Sequence, residues 1–527
     1  MLKWILILAT ILRLFWLGQV PIALNWDEVS MGYSAYSLSV TGADEWGARW
    51  PLFFRSYGEW KSAVYIYLLV PLVKFFGLTP VVVRLPSAVA GIFAVYLMYL
   101  LGKKLYSDKV GLWAAFLLAV TPWHLMLSRP AFEANIALTL VLAGLYFFLS
   151  NRLLVSAIFF GLAPHTYNSA KLVVPLLVIY LLVTHRHQFT IKKIIPFFLI
   201  LALFAYPILA NFSSGISQKR FSQVGLTTEL DRVNAFIAYR QTSPLPVPLN
   251  RLIFNRYTYT AYHAFDNILS YFDPAYLVSN GGPHNQYRIP HRGILYLAEL
   301  GLALIGAALA LRTRSLLPLA LILLGILPAA ITKGDHHVLR SILALPGWIL
   351  LAALGIDYLQ HKKFKYLVIG YWLLVIETVL FLSLYFVWYP RVSASDWQYG
   401  YQQAVEYYNS HRSQYDQVVM TKWYGEPQLF VAFYSQWDPA DFQSQNIPLL
   451  RYEAEGRAWL DQLEPYSVGP WTFKYLNWTT EVKNPRTLYI GKWDDFWPDS
   501  HIVDTITYPS GQVAFYLVDT ADNSNSQ

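Results

Sequence analysis

The sequence predicts a polytopic α-helical membrane protein that ends in a small α/β domain. Of the 527 residues, 55% are hydrophobic and only 14% are charged, whereas a soluble domain carries about 25% charged residues. Long apolar runs recur as far as residue 390, and the connections between them alternate between basic and polar. Aromatic residues make up 17% of the chain, as expected where Trp and Tyr anchor helices at membrane interfaces.

Apolar runs of about 17–25 residues are long enough to cross a bilayer as helices. We predict about eleven such spans, at residues 2–20, 81–101, 111–128, 133–150, 153–167, 170–184, 194–211, 293–311, 316–332, 338–358 and 366–388. Arg13 lies inside the first run and no small-residue cleavage site follows it, so we expect a retained helix rather than a signal peptide. Because charge inside a membrane is costly and usually paired, we expect Arg13 to form a structural salt bridge.

Basic residues cluster in alternate connections between the spans. They are Lys3, Lys103, Lys104, Lys109, Arg152, Arg186, Lys192, Lys193, Arg312, Arg314, Lys362, Lys363 and Lys365. The positive-inside rule makes these connections cytoplasmic, which places the N-terminus inside the cell and residues 389–527 outside it. If the short run 62–77 also crossed the membrane, every later basic connection would face outward. This run is therefore predicted to lie on the membrane as an amphipathic helix. We therefore predict a multi-pass plasma-membrane protein with a cytoplasmic N-terminus and an extracytoplasmic C-terminus.

The pattern divides the chain into a transmembrane domain, residues 1–390, and an extracytoplasmic α/β domain, residues 391–527. The first contains two large outer loops, 21–80 and 212–292. In the second, we predict a helix at 397–411 and strands at 417–423, 429–434, 486–493, 501–508 and 513–519. The chain has no cysteine, which excludes disulfides and thiolate chemistry.

An acidic pair, Asp27 and Glu28, directly follows the first span in LNWDEVSMGYSAY, residues 24–36. The simplest structural interpretation is a helix N-cap, formed by Asn25 or Asp27. A capped and rigid carboxylate is also a good general base, so the two interpretations are compatible. Further polar residues follow in the same outer loop, and we consider them candidates for substrate binding; they are Asp44, Glu45, Tyr57 and Lys61.

Three later segments carry cations and acids at predicted outer ends of spans. They contain Arg129 and Glu133 in PWHLMLSRPAFEANIAL, His284 and Arg288 in SNGGPHNQYRIPHRG, and His337 and Arg340 in DHHVLR. An arginine such as Arg340 can hold a phosphate through two hydrogen bonds, although interfacial anchoring is an equally simple role for it. The loop 279–293 is either a lid over the substrate or an irregular surface loop. Adjacent histidines do not usually point together, so the pair at 336–337 does not indicate a metal site.

The order of these segments resembles that of the integral-membrane glycosyltransferases with the C-type fold. An acidic pair after the first span, a lysine before an interfacial helix, VVVRLPSAVAGIFAVYLMYLLGKKLYS and TPWHLMLSRPAFEAN follow each other as in that family. The bacterial aminoarabinose lipid A transferase and the protein O-mannosyltransferases are the most similar in pattern. The resemblance covers residues 1–210 best, and more loosely TKGDHHVLRSILALPGW and the tail.

The resemblance implies roles for individual residues. It implies that Asp27, with Glu28 beside it, is the base acting on the acceptor, and that Glu133 occupies the place of a second acid, more often Asp in relatives. It implies that Lys61 holds the phosphate of a polyprenyl-phosphate sugar; Arg129, His337 and Arg340 are further candidates for this phosphate. Asp44, Glu45, Tyr57, His284 and Arg288 are candidates for contacts with the rest of the substrates. The prolines that usually follow the family's lysine are absent here.

These observations predict an inverting glycosyltransferase that uses a lipid-linked donor at the outer membrane face. Two alternatives stay open: a transporter or flippase of lipid-linked saccharide, and a polysaccharide ligase or polymerase that uses a lipid diphosphate donor. A lipid, a protein or a glycan is each compatible as the acceptor. The sequence indicates no nucleic-acid partner and no specific cofactor, and leaves a divalent cation open. It contains no Walker-type or GxGxxG loop, so a cytosolic nucleotide-sugar donor lacks support.

Overall fold

The computed structural model describes residues 1–188, 190–213, 225–226, 230–334 and 336–520. Helices of the apolar region are α1 (Leu2–Leu14), α2 (Trp26–Thr41), α3 (Ala63–Phe76), α4 (Pro80–Leu105), α5 (Asp108–Val120), α6 (Pro122–Leu127), α7 (Glu133–Leu149), α8 (Leu153–Leu162), α9 (Asn168–Thr184), α10 (Ile191–Ser213), α11 (Leu230–Thr242), α12 (Val247–Ile253), α13 (Arg256–Ser270), α14 (Leu297–Thr313), α15 (Leu317–Ala330), α16 (Leu345–His361) and α17 (Leu367–Ser383). Each predicted span thus contains a helix.

The helices differ in their capacity to cross a membrane. Within the described residues, four helical segments are long and apolar enough: Pro80–Leu105, Ile191–Asn211, Ile342–His361 and Leu367–Val392. A fifth span is obtained if α14 and α15, which are bent by 117° at their junction, count as one. The protein is therefore a multi-pass membrane protein, and the count of eleven spans stays a prediction.

The chain forms two compact units that are discontinuous in sequence. The first unit comprises Met1–Phe15 and Ser87–Ser383, and the second comprises Trp16–Pro86 and Leu384–Gln527. The C-terminal boundary lies close to the predicted one at residue 390. The first outer loop, by contrast, which we assigned to the transmembrane domain, groups with the C-terminal segment.

Close helix packing holds the first unit together. Helices α14 and α16 meet at two glycines: a Cβ atom on Gly306 would lie 1.9 Å from the carbonyl oxygen of Leu351, and one on Gly355 would lie 2.1 Å from that of Leu302. Such small residues allow helix backbones to approach within a membrane. Arg13 is fully buried in this unit, and its hydrogen-bond partners among the described residues are backbone carbonyls and Nδ1 of His124 at 2.8 Å. The predicted salt bridge of Arg13 is therefore wrong, because carbonyls at helix ends supply the compensation instead.

A six-stranded sheet forms the centre of the C-terminal segment. Its strands are β3 (Gln417–Thr421), β4 (Tyr466–Val468), β5 (Trp471–Lys474), β6 (Thr487–Gly491), β7 (Ile502–Thr507) and β8 (Val513–Asp519), in the order β4-β5-β3-β6-β8-β7. Strands β5, β3 and β6 are mutually parallel, and the other pairings are antiparallel. Every residue of β6 is buried, as expected for a strand covered on both faces.

Helices of the same segment are α18 (Tyr389–Val392), α19 (Tyr401–Ser410), α20 (Pro427–Tyr434), α21 (Pro439–Asn446) and α22 (Arg451–Ala454). The predicted helix at 397–411 and the strands at 417–423, 486–493, 501–508 and 513–519 are confirmed within a few residues. The strand predicted at 429–434 is wrong, because these residues belong to α20. Strands β4 and β5 were not predicted.

The first outer loop consists of α2, a hairpin and α3. The hairpin strands are β1 (Phe53–Ser56) and β2 (Glu59–Ser62), paired antiparallel. Helix α2 packs against α3 and, in the C-terminal segment, against α20 and α21. Helix α3 exposes Leu68, Phe75 and Phe76 while burying its opposite face. The predicted helix at 62–77 is confirmed, and its position on the membrane surface stays a prediction.

Candidate functional site

A capping box fixes the start of α2 and with it the acidic pair. The side chain of Asn25 accepts a hydrogen bond from the backbone N–H of Glu28 at 2.9 Å, and the Glu28 carboxylate accepts one from the N–H of Asn25 at 3.1 Å. The predicted N-cap is thus confirmed and is formed by Asn25. Asp27 lies in the first turn, where the helix dipole favours a negative charge.

The hairpin positions Lys61 opposite this turn. Its loop consists of Tyr57 and Gly58, with φ of +49° and +72°, which are the conformations of a type I′ turn. The hydroxyl of Tyr57 donates to the carbonyl of Trp26 at 2.9 Å, so the loop is attached to the start of α2. Lys61 follows on β2, and its Nζ lies 5.3 Å from the centre of the Tyr57 ring.

Asp27 and Lys61 form a direct ion pair. Lys61 Nζ lies 2.7 Å from Oδ1 of Asp27, and 3.4 Å from its backbone carbonyl oxygen. The Asp27 side chain is 40% exposed, whereas that of Lys61 is 11% exposed. The structure thus joins two residues that the sequence separates by 34 positions, and leaves the carboxylate open to solvent.

Glu28 differs from its neighbour because it is fully buried. Its two carboxylate oxygens accept hydrogen bonds from Nε and Nη2 of Arg84, at 2.9 and 3.0 Å. Arg84 also donates to the carbonyls of Leu17, Pro21 and Ala23. These contacts favour a structural role for Glu28, in place of the catalytic role that we predicted, since its carboxylate is fully buried and paired with Arg84. Sequence reasoning missed the role of Arg84.

The second acidic pair is also buried. Asp44 accepts hydrogen bonds from the N–H groups of Trp46 and Ala48, and so closes the loop after α2. Ser34 donates to Oε2 of Glu45 at 2.6 Å, and Oε1 of Glu45 has no hydrogen-bond partner among the described residues. Burial, reinforced by the charge of Asp44, raises the pKa of Glu45 to about 8. Burial raises the pKa of Asp44 as well. Their substrate-binding role stays a prediction.

The C-terminal segment adds two buried carboxyls that sequence reasoning missed, Glu426 and Asp461. Oδ2 of Asp461 accepts a hydrogen bond from the backbone N–H of Glu426 at 2.6 Å. Burial raises the pKa of both carboxyls, and for Glu426 the nearby charge of Lys61 opposes this shift. Gly425 (φ +91°) lies against Trp26, since a Cβ atom there would be 3.3 Å from the indole ring. The signal in the sequence was the turn WYGEP directly after a predicted strand.

In the first unit, the structure brings together three segments that we predicted as candidates. The ring of Tyr287 lies 5.5 Å from that of Phe132 and 5.4 Å from that of His337. The His284 ring in turn lies 5.2 Å from that of His337. The loop 279–293 therefore packs against both the start of α7, where Glu133 is the first residue, and the segment that carries His337.

The arginines of this unit have defined partners. Arg129 is fully buried and donates to the carbonyls of Leu12 and Phe15, at the end of α1. Arg288 donates to Asn280 within its own loop. Arg340 donates to the hydroxyl of Thr332 at 2.9 Å and remains partly exposed. The roles of these residues, and of Glu133, His284 and His337, in binding substrate stay predictions.

The described residues contain no group of three or more His, Asp or Glu side chains arranged to hold a metal ion. Asp335, which precedes the two histidines, lies outside the described residues.

Part of the chain matches a known protein family, and the whole chain resembles solved structures. Residues 61–211 match the family model of dolichyl-phosphate-mannose-protein mannosyltransferases. The chain resembles ArnT from Cupriavidus metallidurans bound to undecaprenyl phosphate, with 12% identity, a TM-score of 0.52, and coverage of 99% of this chain and 98% of that one. In its apo state ArnT matches with 10% identity, a TM-score of 0.50, and coverage of 98% and 97%. No curated protein sequence matches the chain.

The archaeal oligosaccharyltransferase AglB from Archaeoglobus fulgidus matches with 14% identity and a TM-score of 0.47 over 82% of this chain. The chain spans 63% of the length of that protein. The predicted resemblance is confirmed at the level of fold by the two ArnT structures, and residues 61–211 match the mannosyltransferase model.

Proposed function

We propose that the protein is an inverting glycosyltransferase that moves a sugar from a polyprenyl-phosphate donor to an acceptor hydroxyl or phosphate. The observation that carries this proposal is the pair of Asp27 and Lys61, joined at 2.7 Å with the carboxylate 40% exposed. The fold and the family match of residues 61–211 support it, because the proteins they name act on or bind polyprenyl phosphates.

The reaction needs one base and one cation, and the pair can supply both. The acceptor oxygen attacks the anomeric carbon, and the bond from this carbon to the phosphate oxygen breaks. The proton of an acceptor hydroxyl passes to Asp27, whereas an ionised phosphate acceptor has no proton to transfer. Negative charge grows on the leaving phosphate, where the ammonium of Lys61 stabilises it. A single displacement without a protein nucleophile inverts the anomeric configuration. Polyprenyl phosphate is the second product.

The ion pair also suggests an order of events. While Lys61 is paired with Asp27, its ammonium lies 2.7 Å from Oδ1 and occupies the place at this oxygen that an acceptor hydroxyl would need. A donor phosphate that draws Lys61 to itself would release the carboxylate for proton transfer. We therefore propose that the donor binds first and that its phosphate activates Asp27.

We extend the proposal to residues of the first unit and to topology. His337, Arg340 and Arg129 are proposed to serve the donor phosphate, and Glu133 a second acidic role. His284 and Arg288 are proposed substrate contacts. Positive-inside parity supports a cytoplasmic N-terminus and an extracytoplasmic C-terminus, so the transfer would occur at the outer face.

The experiment is a transfer assay with the full chain in nanodiscs. A panel of synthetic undecaprenyl-phosphate monosaccharides serves as donor, envelope extract of the host as acceptor, and release of free undecaprenyl phosphate as readout. The wild type should release it from at least one donor only when extract is present. Asp27→Asn should lower this rate about 10²-fold or more.

The matched control is Glu453→Gln, which alters another partly exposed carboxylate of the same unit, paired with Arg55 at 3.1 Å. It should keep the wild-type rate. Near-normal release by Asp27→Asn would reject this residue as the base. Movement of intact donor across the bilayer without release of undecaprenyl phosphate would instead favour a transporter.

A further inference from the structure

One edge of the C-terminal sheet carries three exposed aromatic side chains. Trp423, Tyr475 and Trp493 follow β3, β5 and β6 by one or two residues, and they are 61%, 55% and 65% exposed. Because these strands are parallel neighbours, their C-terminal ends lie on one edge of the sheet. The carboxyl ends of parallel strands are a common place for ligands to bind.

Two of the three rings, those of Trp423 and Tyr475, are exposed and yet contact neighbouring side chains. The ring of Trp423 lies 6.4 Å from that of Tyr475. The ammonium of Lys492 lies 4.9 Å from the centre of the Trp423 ring, and that of the buried Lys422 lies 4.8 Å from the centre of the Tyr475 ring. Contiguous exposed apolar surface often marks an interaction site, so these rings point to binding.

A chain of contacts links this aromatic edge, defined by Trp423, Tyr475 and Trp493, to the hairpin that carries Lys61. Lys422 donates to the carbonyls of Asp461 and Leu463, and so holds the segment 458–464 beside it. That segment contacts the hairpin loop, because a Cβ atom on Gly58 would lie 2.7 Å from the carbonyl oxygen of Ala458. The hairpin in turn carries Lys61.

We propose that the aromatic edge binds a saccharide portion of the acceptor and presents it to the Asp27–Lys61 pair. The proposal rests on the proposed function, since a glycosyltransferase must hold a second substrate beside its base. Aromatic rings offer apolar faces to the C–H faces of pyranose rings, and a few polar groups beside them fix the orientation of a ligand. Glu464 and Asp494, both partly exposed, can accept hydrogen bonds from sugar hydroxyls at this edge.

The chemistry of the edge favours a saccharide over a bilayer. A helix that lies on a membrane has Trp, Phe and Leu on its apolar face and keeps its charged residues on the opposite face. Here ion pairs lie among the rings instead, between Lys492 and Asp494 and between Lys422 and Glu464. Burying such pairs against lipid would cost their hydration.

The test uses the full chain in nanodiscs on an array of microbial glycans. A subset of the glycans should retain the wild type. The amount of protein retained on these glycans should be at least tenfold lower for the triple variant Trp423→Ala/Tyr475→Ala/Trp493→Ala. The control Trp50→Ala removes a similarly exposed ring (57%) from the first outer loop, and this variant should bind the glycans as the wild type does. If no glycan retains the wild type, or the triple variant is retained equally, the proposal is overturned.

Two further readouts separate the outcomes. Undecaprenyl phosphate should bind the triple variant as tightly as the wild type. If it binds neither protein, the proposed function is contradicted, and the saccharide-binding role of the aromatic edge is judged by the glycan array alone. In nanodiscs with brominated phospholipids, Trp493→Phe should leave the lipid quenching of tryptophan fluorescence unchanged. A clear drop in quenching would place the ring in the bilayer and overturn the saccharide assignment.

Discussion

Asp27 and Glu28 are adjacent in sequence but have opposite environments. Successive residues of a helix point in directions about 100° apart, and of these two only Glu28 is buried. Glu28 is turned inward to Arg84, and Asp27 is turned outward to Lys61 and solvent. Glu28 therefore stabilises the start of α2, and the exposed Asp27 is the proposed base.

We expect Glu28→Gln to destabilise the protein, because it leaves the fully buried Arg84 without its charge partner. Removing one partner of a buried ion pair costs about 3–5 kcal/mol. Thermal unfolding in detergent should therefore show a clearly lower midpoint for Glu28→Gln, while Asp27→Asn stays close to the wild type. Equal midpoints for both variants would contradict the structural role of Glu28.

The buried carboxyl of Glu45 should make stability depend on pH. Its pKa is raised from 4.5 to about 8, so the folded state holds a proton that the unfolded state releases. Its contribution to stability is therefore complete below pH 4.5 and is lost as pH rises toward 8. Glu45→Gln cannot ionise, so its unfolding midpoint should match the wild type near pH 5 and exceed it near pH 9. A pH-independent difference between the two would show that Glu45 is ionised throughout.

At the scale of elements, the hairpin β1–β2 fixes the position of Lys61 opposite Asp27. Its two-residue turn requires positive φ at both Tyr57 and Gly58. Two contacts hold the strand that carries Lys61. The Tyr57 hydroxyl donates a hydrogen bond to Trp26, and Gly58 packs closely against Ala458.

We expect Gly58→Ala to displace this strand and lower transfer about tenfold, because its Cβ would lie 2.7 Å from the Ala458 carbonyl oxygen. Gly456→Ala is the matched control, since Gly456 has nearly the same φ (+71°) but no atom within 4 Å of a Cβ. Release of undecaprenyl phosphate measures both variants. Equal losses would mean that backbone strain, and not contact with the 458–464 segment, sets the position of Lys61.

The sequence was sufficient for elements with clear periodicity and insufficient for those defined by distant contacts. The apolar runs predicted helices because burial in lipid requires them, and most strands of the C-terminal sheet followed from β-branched alternation. The run at 429–434 predicted a strand wrongly, because a short, wholly buried run fits both structures and Pro427 begins a helix there. Asp27 and Lys61 could be chosen as candidates from the order of the motifs, whereas their ion pair was seen only in the structure. Arg84 and Asp461 could not be chosen in this way, since their partners are fixed only by folding, and Glu426 was indicated only by its place in the turn WYGEP.

At the scale of the whole molecule, the charge pattern predicts which side of the membrane the C-terminal segment occupies. The basic connections alternate only if residues 62–77 do not cross the bilayer, and the 14-residue helix α3 is short for a span. A reporter that is active only after export, fused at the C-terminus, should be active. Activity of a second C-terminal fusion, whose reporter works only in the cytoplasm, would contradict the proposed topology.

The central claim is that Lys61 exchanges Asp27 for the phosphate of a lipid-linked donor, and it is tested most directly by affinity. Undecaprenyl phosphate should be titrated into nanodiscs that contain the wild type, Lys61→Met or Asp27→Asn. We expect Lys61→Met to bind at least tenfold more weakly, because it loses the cation. Asp27→Asn should bind as tightly as the wild type or more tightly, because Lys61 no longer has a competing anion. Equal affinity in all three proteins, or weaker binding by Asp27→Asn than by Lys61→Met, would contradict the account.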